Sequence, residues 1–163
     1  MRCRALLLTL AAQALLALAP LSAARCDSMV VWPGYILDLP PNYCVSTDHG
    51  PDFRVLYLRD RQSSQHVILA GIYAGLAPDF RPDCTKPATR DWRANDLSFR
   101  SVRSSDGCAE FLVNDPASSQ RGYLHVWFGP GAKAHPAMAE ALIASIRPAP
   151  MPLESAPEPP SCN

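Results

Sequence analysis

The sequence has no excess of charge of either sign, because 15 Lys and Arg residues are balanced by 15 Asp and Glu residues. A protein that binds nucleic acid by neutralising phosphates needs a surplus of basic residues, so we expect no nucleic-acid partner. The sequence also lacks a Cys-x-x-Cys pair, and its four histidines are scattered. These absences argue against a zinc site, and we expect neither a metal nor another cofactor.

Motifs of catalysis are also missing. A nucleophile needs an activating base and groups that stabilise negative charge, yet no Ser or Cys stands in a sharp Gly-flanked turn with usable histidines. The spacing Gly71-x-x-x-Gly75 lacks the Lys-Ser/Thr of a phosphate-binding loop. Acidic residues between positions 79 and 96 alternate with basic ones, which is typical of a solvated mixed-charge loop. We therefore expect a protein that is not an enzyme.

The first 24 residues predict a secretory signal peptide. Two arginines precede the apolar run 5–19, and small residues suit cleavage after Ala24. The run has about 15 residues, fewer than the roughly 20 that a transmembrane helix requires; a retained membrane anchor is the alternative. We expect a periplasmic or secreted protein without a transmembrane segment after cleavage. Residues 25–148 are predicted to form one domain, and the proline-rich residues 149–163 a disordered tail.

Cleavage would leave five cysteines in a compartment where disulfides persist, so at most two bridges and one free thiol are expected. We favour Cys84 with Cys108, because this pair closes a loop of about 25 residues, worth roughly 3 to 4 kcal/mol on the chain-entropy model. Cys26 with Cys44 is the second choice. Cys162 is the best candidate for an unpaired or intermolecular thiol. The connectivity itself cannot be deduced from spacing.

Short apolar bursts separated by Pro, Gly, Asp, Asn and Ser indicate an antiparallel sheet between positions 29 and 128. Strands are predicted at 29–32, 35–39, 53–59, 66–73, 96–102, 108–114 and 122–128. In the segment 53–59 both alternating faces are partly apolar, so a second layer should cover the sheet. Apolar residues at helical spacing predict that layer as a helix at 136–146. The expected fold is α+β, with about six or seven strands and a C-terminal helix packed on one face.

Residues 74–93 are predicted to form a long ordered loop, because prolines, charges and two aromatic residues follow one another there. Loops of this length in a compact domain are usually functional or poorly ordered. Aromatic and Arg side chains dominate many protein interfaces. Phe80 and Trp92 are therefore the candidate exposed anchors, and Arg81 and Arg93 are candidates to pair with carboxylates of a protein partner.

Three segments carry a resemblance to a known group. They are Ile36-Leu37-Asp38-Leu39-Pro40-Pro41-Asn42-Tyr43, Gly71-Ile72-Tyr73-Ala74-Gly75, and Leu124-His125-Val126-Trp127-Phe128 with the helix that ends at Ile143-Ala144-Ser145-Ile146-Arg147. Over roughly residues 30–148 the chain resembles small PsbP/DcrB-like α+β proteins. The resemblance implies a late strand that leads into a C-terminal helix on the sheet. Some exported bacterial members are periplasmic immunity proteins against effectors of type VI secretion, and none of their functional residues carries over.

Export, disulfides and missing catalytic motifs agree with an inhibitor or immunity protein that occludes a secreted effector. The main alternative is an envelope accessory or assembly factor that binds a larger complex or a small ligand. This alternative predicts an apolar pocket between helix and sheet. A hydrolase with an unrecognised site is the third alternative, and it would need Ser, His and carboxylate side chains in one cleft.

Overall fold

The computed structural model describes residues 27–31, 34–40, 42–62, 67–76, 80, 87–104, 108–129, 132–133, 135–150 and 161–162. The elements in chain order are β1 (Asp27–Val31), β2 (Tyr35–Leu39), β3 (Tyr43–His49), β4 (Phe53–Asp60), β5 (Ile68–Gly75), β6 (Ala88–Ala94), β7 (Leu97–Arg103), β8 (Ala109–Asn114), a 3₁₀ turn (Ser119–Arg121), β9 (Tyr123–Phe128), α1 (Pro136–Ser145) and β10 (Arg147–Pro148). The predicted signal peptide, Cys26, Arg81, Cys84 and residues 151–160 of the predicted tail lie outside the described residues.

Seven strands form one antiparallel sheet in the order β3-β4-β5-β9-β8-β7-β6, and a smaller sheet has the order β1-β2-β10. The prediction of an α+β fold with six or seven antiparallel strands is confirmed. Each predicted strand is present, with ends that differ by up to about two residues, but β3, β6 and β10 were not predicted. The predicted loop 74–93 is wrong at both ends, because β5 extends to Gly75 and β6 begins at Ala88.

Alternation along the strands gives the large sheet two different faces. The register aligns Leu56, Ile72, Val126 and Phe111 on four neighbouring strands, and all four are buried. We call their side of the sheet the inner face. The opposite side, the outer face, carries the intervening residues. One of its rows runs across six strands through Val55, Tyr73, His125, Leu112, Arg100 and Asp91.

Helix α1 is the C-terminal helix that the apolar spacing predicted. Pro136 occupies its first turn, where the missing N–H would have no helical partner. Ala139, Leu142 and Ile143 are buried and belong to one core cluster with residues of both sheets. The helix ends at Ser145, one residue earlier than predicted, because the chain then enters β10 beside β2.

A buried polar network joins the small sheet to the connection between β8 and β9. The Tyr35 hydroxyl donates to the Gly122 carbonyl at 2.8 Å and accepts from the Asp115 N–H at 3.2 Å. Burial raises the pKa of Tyr35 to about 12. Arg121 forms an ion pair with Asp115 at 2.7 Å and donates to the Gly34 carbonyl at 2.7 Å. These interactions fix the position of β2 relative to the large sheet.

The turn between β6 and β7 is bound to the end of α1. Asn95 and Asp96 have φ angles of 51° and 63°, which is the backbone of a type I′ hairpin turn. The Asn95 side-chain amide donates to the carbonyls of Ala144 at 3.1 Å and Ile146 at 2.8 Å. The carbonyls at a helix C-terminus have no helical partners, so Asn95 satisfies them and holds the hairpin against the helix.

Disulfide bonding differs from the predicted pattern. Cys44 in β3 is bonded to Cys162, with Cα atoms 5.0 Å apart. The expectations of a Cys26–Cys44 bridge and of a free Cys162 are therefore wrong. The backbone explains the pairing, because Ser161 forms a parallel bridge with Val45 and the Cys162 N–H donates to the Val45 carbonyl at 3.3 Å. Cys108 is disulfide-bonded as predicted, while its predicted partner Cys84 lies outside the described residues.

Candidate functional site

The structure separates the predicted partner-binding residues. Phe80 lies against His125 of the outer face. Arg93 also belongs to the outer face. It is paired with Ser98, and the same row continues through Asn114 and Tyr123. Trp92 precedes Arg93 in the same strand and points to the inner face, since successive side chains alternate. Arg81 lies outside the described residues.

Trp92 is not an exposed anchor. Its ring stacks on Phe99 at a centroid distance of 5.1 Å and meets Phe111 edge-on at 6.3 Å. The guanidinium of Arg90 lies 5.8 Å from the centre of the Trp92 ring. Because its neighbours are core residues of the inner face, Trp92 holds edge strand β6 to the core.

Arg93 lines an open concavity of about 510 Å³ on the outer face. Asp91 lies in its wall and binds Arg100 through two hydrogen bonds of 2.9 and 3.3 Å. The Arg100 guanidinium lowers the pKa of Asp91, so this acid is charged and already paired. Arg93 has no hydrogen-bond or ion-pair partner among the described residues. With no partner in the described part of the chain, its guanidinium could pair with a ligand carboxylate.

Two exposed apolar side chains lie at the end of the large sheet where β5 ends and β9 begins. Among the described residues, Leu76 and Tyr123 are the large hydrophobic residues with the highest exposure, at 55% and 38%. Tyr123 lines the concavity with Arg93. Leu76 lies beside Gly122, the residue before Tyr123. We call Leu76, Tyr123 and Arg93 the outer tip, a set that combines two exposed apolar side chains with a positive charge that has no partner among the described residues.

Aromatic side chains continue from the outer tip along the outer face. Phe53 stacks on Tyr73 at 5.5 Å, and Tyr57 meets Trp127 edge-on at 6.3 Å. Gly71 lies between Tyr57 and Trp127 and is paired with both. A Cβ atom at Gly71 would overlap the Trp127 indole, so the indole packs over the glycine.

His125 and Glu110 form a half-buried pair on the outer face. The Nε2 atom of His125 is 2.7 Å from a Glu110 carboxylate oxygen, and their side chains are 14% and 16% exposed. Phe80 packs edge-on to the imidazole at 5.2 Å. No described Ser or Cys is hydrogen-bonded to His125. The pair orients the imidazole beneath Phe80, and so gives the Phe80 ring a fixed contact on the sheet.

A second cavity, of about 340 Å³, lies between α1 and the ends of β7, β8 and β9. Its lining includes the apolar residues Phe128, Ala109 and Ala139 and the charged residues Arg103 and Glu140. The latter two are 3.8 Å apart and largely exposed. The cavity therefore combines apolar walls with a charged rim.

Within the described ranges, no group of three or more His, Cys, Asp or Glu residues could hold a metal ion. None of the helices in the same ranges is both long and apolar enough to cross a membrane. The chain matches no family model, and neither a curated protein nor a solved structure is similar enough to match it.

Proposed function

We propose that this chain is an exported, non-enzymatic binding protein that neutralises a secreted effector by occluding it, in the manner of a periplasmic immunity protein. The observation that carries the proposal is the outer tip. Its exposed Tyr123 lies beside Arg93 in one concavity, and the exposed Leu76 lies beside Gly122, the residue before Tyr123. Exposed aromatic side chains beside Arg are typical of protein interaction surfaces.

The outer face suits a protein partner better than the opposite side of the sheet. Residues of the inner face pack in a core cluster with α1 and the small sheet, whereas aromatic rows remain half-exposed on the outer face. Aromatic and Arg side chains dominate binding energy at many interfaces. The occupant we propose is a protein surface that offers an apolar patch to Tyr123 and a carboxylate to Arg93.

The mechanism follows from this geometry. An effector covered by the outer tip would lose access to its own substrate by steric exclusion. Phe80, fixed on His125, would extend the contact surface along the sheet. Export with a cleaved signal peptide, expected from residues 1–24, would place the protein where a secreted effector arrives. The resemblance to PsbP/DcrB-like proteins supports the same proposal.

The test uses the mature protein, residues 25–163, purified from an oxidising compartment and immobilised. Secreted and envelope proteins of its own organism are passed over wild type, Arg93→Glu, Tyr123→Ala and Arg61→Glu. Arg61→Glu is the matched control. It makes the same change of charge as Arg93→Glu, but in an exposed turn. Captured proteins are identified by mass spectrometry and assayed for activity with and without the wild-type protein.

The proposal predicts one secreted protein that wild type and Arg61→Glu both retain and whose activity falls in the complex. Arg93→Glu and Tyr123→Ala should each weaken its binding roughly tenfold or more. Equal retention by all four proteins would move the binding surface away from the outer tip. A captured protein that keeps its full activity in the complex would refute the inhibitor mechanism.

The cavity between α1 and the sheet favours a second candidate function, the binding of a small apolar ligand by an envelope accessory protein. Preformed apolar cavities of about 300 Å³ or more are typical ligand sites, and this one has about 340 Å³. Ala139→Phe would fill it from the helix. If the cavity binds ligands, the wild type should enhance the fluorescence of 1-anilinonaphthalene-8-sulfonate and the variant should not. Equal enhancement would contradict this function.

A further inference from the structure

We infer that two copies of this chain associate through strand β6, which pairs antiparallel with β6 of the second copy about a two-fold axis at Trp92. The large sheet would then continue from one copy into the other. This inference concerns self-association and does not require the proposed effector; because Arg93 takes part in both contacts, the dimer and the effector would compete for it.

The two edges of the large sheet differ. Strand β3 is one edge, and there Ser161 and Cys162 lie beside Val45 and are fixed by the disulfide to Cys44. Strand β6 is the other edge, and all of its residues except Trp92 are exposed. No described residue pairs with its free side. An unpaired edge strand is a template for pairing with another chain.

The sequence of β6 is self-complementary in one register. Two residues that lie opposite each other in antiparallel strands have their side chains on the same face of the sheet. When the two strands are identical, the two-fold axis must therefore pass beside a residue that lies opposite the same residue of the second copy. With the axis at Trp92, Asp91 lies opposite Arg93 of the second copy, and this charge pair occurs twice. Arg90 lies opposite Ala94, and the two Trp92 residues meet on the inner face.

Neighbouring registers are disfavoured by charge. An axis at Asp91 would place two carboxylates opposite each other, and an axis at Arg90 or Arg93 would oppose two guanidinium groups. Like charges directly opposite in a sheet are destabilising. Only the axis at Trp92 opposes unlike charges, and it supplies a partner for Arg93, which has none among the described residues. Asp91 would then lie between Arg100 of its own chain and Arg93 of the other.

The pattern allows a test by charge exchange. Arg93→Asp sets Asp opposite Asp in a homodimer, and Asp91→Arg sets Arg opposite Arg. Each variant alone should dimerise at least roughly tenfold more weakly than wild type, because two attractive charge pairs become repulsive. An equimolar mixture should form a heterodimer, since each Asp then faces an Arg. Sedimentation velocity over a concentration series measures all three.

Controls separate pairing from folding. Asp91→Arg also removes the partner of Arg100, so the double variant Asp91→Arg/Arg93→Asp provides a second route, because its own register is complementary again and it should dimerise. Arg61→Asp and Tyr123→Ala should dimerise like wild type. A wild-type protein that stays monomeric, or an Arg93→Asp variant that dimerises as well as wild type, would overturn the inference. In either case the charges of β6 would serve only to keep its edge unpaired.

Discussion

Replacing Asn95 by Ala should destabilise the fold by about 2 to 5 kcal/mol. Two side-chain hydrogen bonds to the carbonyls of Ala144 and Ile146 would be lost, each worth about 0.5 to 1.5 kcal/mol. Ala must also adopt the left-handed φ of 51°, which costs an L-residue about 1 to 2 kcal/mol. Position 95 thus combines two separable contributions, the bonds to the helix end and the turn conformation.

Asn95→Gly separates them, because Gly adopts positive φ without steric cost but has no side chain to reach α1. Its loss should be about 1 to 3 kcal/mol, smaller than that of Asn95→Ala. Urea unfolding followed by far-ultraviolet circular dichroism gives both values, with the disulfides intact. Equal losses for Ala and Gly would show that the turn conformation contributes nothing. Losses below about 0.5 kcal/mol in both would refute the reasoning that Asn95 holds the hairpin to the helix.

Three further predictions follow from the fold. Gly71→Ala should destabilise by about 1 to 3 kcal/mol and shift the emission of Trp127, whose indole must move; unchanged emission would contradict the packing. Replacing Cys44 and Cys162 together by Ser should cost up to about 5 kcal/mol, because the bond spans a sequence separation of 118; an unchanged urea midpoint would contradict this. The hydrogen bond from Arg147 lowers the pKa of the Asp38 carboxyl in the folded protein. The ionised carboxylate therefore stabilises the fold above the unfolded pKa of about 3.9, and this stabilisation is lost as the pH falls through the folded pKa. Asp38→Asn should therefore be less stable near neutral pH only, and an equal difference in acid would exclude this linkage.

The elements that sequence reasoning found are those with a clear apolar pattern. Strands β4 and β9 carry apolar residues on both faces, and α1 carries its apolar residues at helical spacing between two prolines. Strands β3 and β6 were missed because they are the edges of the large sheet. Edge strands need fewer buried side chains, and their charged residues look like a loop. The Asn95-Asp96 pair was the available signal for a hairpin there.

The candidate site was predicted in part. Interface composition identified Arg93 and Phe80, which lie on the outer face. It also selected Trp92, because without the strand assignment of β6 nothing showed that adjacent residues point to opposite faces. Tyr123 and Leu76 were not selected, since single exposed apolar residues carry no sequence pattern. Their proximity depends on the pairing of β5 with β9, which is a long-range contact.

The bond between Cys44 and Cys162 bears on how the protein matures. Cys84 and Cys108 stand between these two cysteines in the sequence, so the native pairing is not consecutive. In a chain that is oxidised before its synthesis is complete, Cys44 would first bond to a cysteine that precedes Cys162 in the sequence. Disulfides are rearranged by attack of a free thiolate, which takes seconds to hours without a catalyst. Efficient production of this protein should therefore depend on a disulfide isomerase, and an oxidase alone should yield a mixture of scrambled forms.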